Sequence, residues 1–179
     1  KRLVDLYLST HQGSHAGFIQ LGSAGIWGQG QTFAPDEKKS SIWIDRHSRY
    51  DTSNARAIAE DELLSLSTDQ NLTTVLNLAG LWGNGRSVRN FMSRVIKDKE
   101  SLSNKNALYM VAGEDVAQVC LAVHGQWSKA QGQRWLVTDL RVYDWWELAS
   151  RYGNGGIPGK DKPVVGPEPQ WALELMQEK

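Results

Sequence analysis

Apolar positions along this chain switch between helical and extended spacing several times. Leu3, Val4, Tyr7 and Leu8 recur on one helical face, and His11 to Ser14 end that helix, with Gly13 as a natural C-terminal cap. Gly17-Phe18-Ile19-Gln20-Leu21 reads as a buried strand. It leads into Gly22-Ser23-Ala24-Gly25-Ile26-Trp27-Gly28, whose small residues allow close approach of backbone or ligand. Residues 29–52 are polar and irregular apart from Ser41-Ile42-Trp43-Ile44, a candidate short strand. Asp51 or Ser53 can then cap a helix whose apolar face is Ala55, Ile58, Ala59, Leu63 and Leu66. A strand over Asn71–Leu78 ends in a second glycine-spaced turn, Ala79 to Arg86, and Val88 to Ile96 predicts a helix. A strand over Ala107–Val111 precedes a helix capped by Glu114 or Asp115. That helix is apolar nearly all round as far as Gly125, so burial is expected for it. A strand over Arg134–Thr138 and a helix capped by Asp144 follow. Four of the five prolines then lie in a tail that ends in a short helix from Trp171. Strands alternating with helices predict an α/β fold with a largely parallel sheet.

Composition narrows the partners more than the fold. With 40% hydrophobic and 22% charged residues in 179, collagen-like, coiled-coil and disordered chains are excluded, and one domain is expected rather than two. Lys plus Arg and Asp plus Glu both number 20, and no basic block occurs, so nucleic acid is not an expected partner. Cys120 has no second cysteine to pair with, and four scattered histidines give no metal-ligand spacing, so no metal is expected. No apolar run approaches the ~20 residues that cross a bilayer, and no leader pattern opens the chain. The expectation is a cytoplasmic domain without a membrane partner, and Asn71-Leu72-Thr73 reads as a chance glycosylation sequon. Because the sequence opens at Lys1 in mid-helix, it is expected to be a piece of a longer polypeptide.

The two glycine turns carry the candidate chemistry. Ligands of open parallel sheets bind beyond the carboxyl ends of strands, and two strand ends here share a pattern: small residues, then Ile26-Trp27-Gly28 or Leu81-Trp82-Gly83. On one reading the glycines only make turns and the tryptophans pack. On the other, the two ends border a ligand crevice that Ser23 and Arg86 share.

In its motifs the chain resembles the extended or atypical short-chain dehydrogenase/reductase superfamily, the relatives of nucleotide-sugar epimerases and dehydratases. Gly22 to Gly28 is similar to that family's Ser-Ser-x-x-Val-Tyr-Gly, and Gly80-Leu81-Trp82-Gly83-Asn84-Gly85-Arg86 to its Gly-Ile-Tyr-Gly-Pro-Gly-Arg. Asp115-Val116-Ala117 and Gly132 to Val137 match later motifs in the same order. The resemblance implies a Rossmann-like fold: residues 1–150 as the C-terminal portion of an NAD(P)-binding domain with a small substrate-side lobe, and residues 151–179 as a Pro/Gly-rich tail. It places no part of this sequence on the glycine-rich turn that holds the cofactor pyrophosphate. About the first hundred residues of the pattern fall outside the sequence, so a homodimer or a missing N-terminal fragment is an expected partner.

The resemblance further implies roles for named residues. Ser23 occupies the serine position that clamps the reacting oxygen, Arg56 the cation position and Thr52 the phenol position, with 52 and 56 on one helical face. A threonine hydroxyl lies far above the ~10 of a phenol, so Tyr50 is the alternative phenol. Gly22, Ser23, Arg56, Ala79, Gly80 and Leu81 are implied for NAD or NADP. Ala24, Trp27, Trp82 and Arg86 are implied for a small-molecule substrate, Arg86 facing an anionic group or else a surface salt bridge. His47 reads as solvated, His124 as a helix-end residue and Cys120 as an inert buried thiol. Of the adjacent Trp145 and Trp146, one is expected to pack inward and the other to cover a groove. The implied function is an NAD(P)-dependent oxidoreductase or epimerase-like protein acting on a small carbonyl or alcohol. The alternative is a non-catalytic NAD(P)-binding or regulatory module that kept the fold and lost turnover.

Overall fold

The computed structural model describes residues 2–10, 16–28, 44–88, 92, 95–105, 107–152 and 169–178. The expected helix end at residues 11–14 and residues 41–43 of the candidate strand lie outside them; Ile44, within them, is not in a strand. The chain divides into two units, Lys1–Ala79 with Asp115–Val137, and Gly80–Glu114 with Thr138–Lys179.

The first unit is built on three parallel strands, β1 (Ala16–Ser23), β2 (Asn71–Leu78) and β5 (Arg134–Val137), with β2 in the centre. Registers run from Ala16 opposite Asn71 to Ser23 opposite Leu78, and from Val75 opposite Arg134 to Leu78 opposite Val137. A central parallel strand is covered on both faces, which is why Val75 and Leu76 are fully buried and why β2 ends where its apolar run ends. Polar side chains buried in it need partners: Thr74 donates its hydroxyl to the Gln133 carbonyl at 2.8 Å. At the end of β1 a single 3-10 turn, Ala24–Trp27, drops Ile26 and Trp27 into a core with Ala57.

Helix α1 (Arg2–Thr10) lays the edge of the Tyr7 ring on Phe18, with centroids 5.3 Å apart, and buries Val4. The expected apolar face is only partly covered, since Leu3 is 76% exposed. Helix α2 (Ala55–Ser65) starts one residue later than a Ser53 cap allows and three later than an Asp51 cap allows. Asn54 caps it, its side-chain oxygen accepting from the backbone N–H groups of Arg56 and Ala57.

The second unit has a sheet of its own, in which β3 (Gly80–Trp82) pairs parallel with β4 (Ala107–Ala112) and β4 pairs antiparallel with β6 (Val142–Asp144). One largely parallel sheet was the expectation; the parallel pattern holds throughout the first unit and for one pair in the second. The turn after β3 closes with reciprocal hydrogen bonds between Gly83 and Arg86. Asn84 and Gly85 both have positive φ, 50° and 85°, the left-handed pair that a two-residue hairpin requires. These glycines therefore have a local conformational reason.

Helix α3 (Lys99–Ser103) is followed, after β4, by α4 (Gly113–Gly125), all but two residues of which belong to the first unit. Glu114 and Asp115 sit in its first turn rather than capping it. Expected to be buried all round, it buries only Val116 and Val123 and leaves Leu121 65% exposed, because one face alone packs; Cys120 is half-buried. A short α5 (Trp127–Ala130) lays the Trp127 ring over Gly17, where a Cβ would lie 2.5 Å from Cζ2.

In the second unit, α6 (Trp145–Tyr152) is capped by Asp144, whose carboxylate accepts from Trp146 and Glu147 N–H groups at 2.7 and 2.9 Å. Trp145 and Trp146 are both buried, correcting the inward-outward expectation, and the Trp146 indole N–H donates to the Leu102 carbonyl. The terminal helix α7 (Pro169–Gln177) adds Ala172 and Leu175 to the same core as Met92, Ile96, Leu102 and Leu148. Met92 N–H bonds to Val88 and Ile96 N–H to Met92, consistent with the expected helix, of which residues 89–91, 93 and 94 lie outside the described set.

Also in the second unit, Tyr143 donates its hydroxyl to the Asp139 carboxylate. That bond first, and burial second, hold its pKa above 10.0. A phenol raised in the fold contributes stability that is complete below the unfolded value, about 10, and is lost as pH rises through the folded value. Alkaline titration followed by tyrosinate absorbance should show one phenol ionising late, and Asp139→Asn should remove the delay.

Candidate functional site

Parallel strands leave their last backbone groups at the carboxyl edge of the sheet, and Ser23 is the last residue of β1. Its backbone is extended, and its hydroxyl oxygen accepts from the Gly25 N–H at 3.1 Å, capping the 3-10 turn. The hydroxyl proton has no acceptor among the described residues. Arg56 is the second residue of α2, exposed, with no ion-pair partner among the described residues. Both side chains border Gly25, where a Cβ would lie 3.2 Å from Ser23 Oγ and 4.0 Å from Arg56 Nη1. A hydroxyl donor and a guanidinium beside one bare glycine can bind an oxygen that carries or develops negative charge.

Behind this corner stands a buried polar network. The Asn77 side-chain amide donates to the Ser23 carbonyl at 3.1 Å and to both carboxylate oxygens of Glu60 at 2.9 Å. Glu60 is fully buried, and Arg134, with a side chain 9% exposed, places Nε 3.2 Å from its carboxylate. Arg134 also donates to Asp61 at 2.9 Å and stacks its guanidinium on the Tyr50 ring at 4.5 Å. Burial opposes the Arg134 charge, but hydrogen bonding with Tyr50 and Asp61 overcomes this and holds its pKa above the ordinary arginine value. Gly22 is bare because a Cβ there would lie 2.3 Å from a Glu60 oxygen and 2.7 Å from the Asn77 amide nitrogen.

Ser23, Gly22, Ala24 and Arg56 therefore gather at the end of β1. Other expected site residues have different surroundings. Tyr50 donates its hydroxyl to Asp61 at 2.8 Å and packs on the Ile26–Trp27–Ala57 core, so the alternative phenol serves as a tether for its loop. Thr52 lies in the turn before the Asn54 cap, so positions 52 and 56 do not share a helical face. Trp27, expected to face substrate, is 1% exposed, and its indole N–H donates to the Ser48 carbonyl, which makes it a core residue. Ala79 ends the first unit, with its N–H on the Val137 carbonyl. Gly80, Leu81, Trp82 and Arg86 lie in the second unit, where Trp82 is 41% exposed and Arg86 has no ion-pair partner among the described residues. The expected Ser23–Arg86 crevice thus draws on residues of two different units.

Sequence reasoning used Glu60 only as a landmark and missed Asn77, Asp61 and Arg134. The available signal was an asparagine between two leucines near the end of the central strand. Gly22, Gly25 and Gly28 do have the Gly-x-x-Gly-x-x-Gly spacing of a dinucleotide-binding turn. The strand runs into one four-residue 3-10 turn, and Gly22 faces Glu60. Among the described residues no group of three or more His, Cys, Asp or Glu side chains could hold a metal, and no helix is long and apolar enough to cross a membrane.

No protein-family model and no curated protein sequence matches the chain. Solved structures are similar to it. A protein assigned as an NAD-dependent epimerase/dehydratase from Methylobacillus flagellatus matches with a TM-score of 0.52 and 19% identity over 82% of this chain and 51% of that one. RMD from Pseudomonas aeruginosa, complexed with NADPH, matches with a TM-score of 0.50 and 17% identity over 80% of this chain and 52% of that one. The chain spans about half the length of each, and over that span it has the Rossmann-like α/β fold of the first of these structures.

Proposed function

We propose that this chain is the C-terminal portion of an NAD(P)-dependent oxidoreductase or epimerase-like protein acting on a small carbonyl or alcohol. The supporting observation is that the Ser23 hydroxyl and the Arg56 guanidinium both border Gly25, beyond the end of a parallel strand. The nicotinamide cofactor, when bound, supplies or accepts hydride. Ser23 donates a hydrogen bond to the reacting oxygen, Arg56 provides positive charge at the nicotinamide ribose, and the bare Gly25 leaves room for both.

One observation favours a second reading, a binding or regulatory module without turnover. With Thr52 in a turn and the Tyr50 hydroxyl bonded to Asp61, neither residue considered for the phenol role is presented for proton transfer. Purified full-length parent with NADPH or NADH, followed by cofactor fluorescence and melting temperature, tests both readings. Stabilisation of about 2.7 kcal/mol is expected at a hundredfold excess over Kd for one of the two cofactors. Stabilisation by neither overturns the proposal. Ser23→Ala should then abolish turnover while keeping cofactor stabilisation; a parent that binds cofactor and shows no turnover at all supports the second reading.

A further inference from the structure

The Ser23 hydroxyl can act on a substrate oxygen only if its backbone is held still, and the structure shows what holds it. Asn77 is fully buried in β2, between Leu76 and Leu78 in a strand whose other buried side chains need no charged partner. Its amide nitrogen has three acceptors: the Ser23 carbonyl and both oxygens of Glu60. One N–H therefore reaches Ser23 and the other is shared across the carboxylate. Glu60 is fully buried in turn and anchored by Arg134. Gly22, the residue before Ser23, carries no side chain, which lets Glu60 and Asn77 close directly on the strand end.

We propose that Asn77, fixed by Glu60 and Arg134, is a positioning residue that sets the Ser23 backbone and hence the direction of its hydroxyl. An apolar side chain at 77 would fill a parallel-strand core as well; only an amide can grip the Ser23 carbonyl and the carboxylate together. The inference rests on the reading of Ser23 as the oxygen-binding residue, but its test needs neither cofactor nor turnover. Loss of NADPH binding and loss of this network are thus separate results.

The reporter is the Gly25 amide, because it donates to Ser23 Oγ. In the isotopically labelled chain, Asn77→Leu should shift the Gly25 resonance and speed its hydrogen exchange about tenfold, the effect of losing one hydrogen bond. The Val111 amide of the second unit should not change. If Asn77→Leu does not fold, the swap Glu60→Gln with Asn77→Asp decides. It restores a 60–77 hydrogen bond with donor and acceptor reversed, yet leaves residue 77 no N–H for the Ser23 carbonyl. The swap should melt close to Glu60→Gln alone while Gly25 still exchanges fast. Wild-type Gly25 exchange in either folded variant, or a swap that cannot fold, overturns the proposal and leaves Asn77 a part of the core only.

Discussion

Arg134→Met should lower the stability of the chain by about 3–5 kcal/mol, the usual loss when one partner of a buried ion pair is removed. Arg134 presents only 9% of its side chain to solvent and is the cation beside Glu60, which has no exposure at all. Without it, Glu60 keeps only the Asn77 amide, and Tyr50 loses the guanidinium that covers its ring. The loss comes from the stranded charge, so Arg134→Met combined with Glu60→Leu should recover most of it. A contrasting pair is Arg151 with Glu147, one helical turn apart and with side chains 67% and 57% exposed; Arg151→Met should leave the urea midpoint almost unchanged. Equal midpoints for the two methionine variants would show that the pair at β5 is solvated in solution, contrary to its geometry.

What could be read from the sequence depended on how local its cause was. Strand β2 was legible to the residue because a run of β-branched and apolar side chains between a turn and a glycine has only one period to offer. The Asp144 cap was legible for the same reason, since a cap is settled within four residues. Helix α4 was misjudged because a helix that is apolar all round says that it can be buried, not that anything covers its outer face. At Asn84-Gly85 glycine spacing alone leaves a tight turn and a ligand loop both open, and the positive φ angles show that the turn itself needs these residues.

The site divides in the same way. Ser23 and Arg56 were named from the resemblance, and the fold brings both to Gly25. The network behind them was not legible, because Glu60, Asn77 and Arg134 come from α2, β2 and β5 and share no period along the chain. Trp27 was misplaced because a tryptophan beside small residues suits a ligand wall as well as a core; its burial against Ala57 decides for the core.

Two glycines three residues apart should respond to the same small change in opposite ways. Gly22→Ala puts a methyl 2.3 Å from a carboxylate oxygen of Glu60 and 2.7 Å from the Asn77 amide nitrogen. Neither partner can retreat, since both are fully buried and bonded to each other. Overpacking at such a point costs about 3 kcal/mol, and the broken amide–carboxylate contact adds to it, so this variant should melt far below the native chain or fail to fold. Gly25→Ala meets softer neighbours. Its methyl would lie 3.2 Å from Ser23 Oγ and 4.0 Å from Arg56 Nη1, and an exposed hydroxyl and guanidinium tip can give way by a rotation. Its melting temperature should stay near the native value. The new methyl fills the space that hydroxyl and guanidinium border, so any ligand oxygen held there should bind at least about tenfold more weakly, the loss of one charge-assisted hydrogen bond. Melting curves of the two variants, followed by cofactor and substrate titration of the full-length parent carrying Gly25→Ala, separate the roles. A Gly25→Ala parent with native affinity and turnover would place the reacting oxygen somewhere other than this corner.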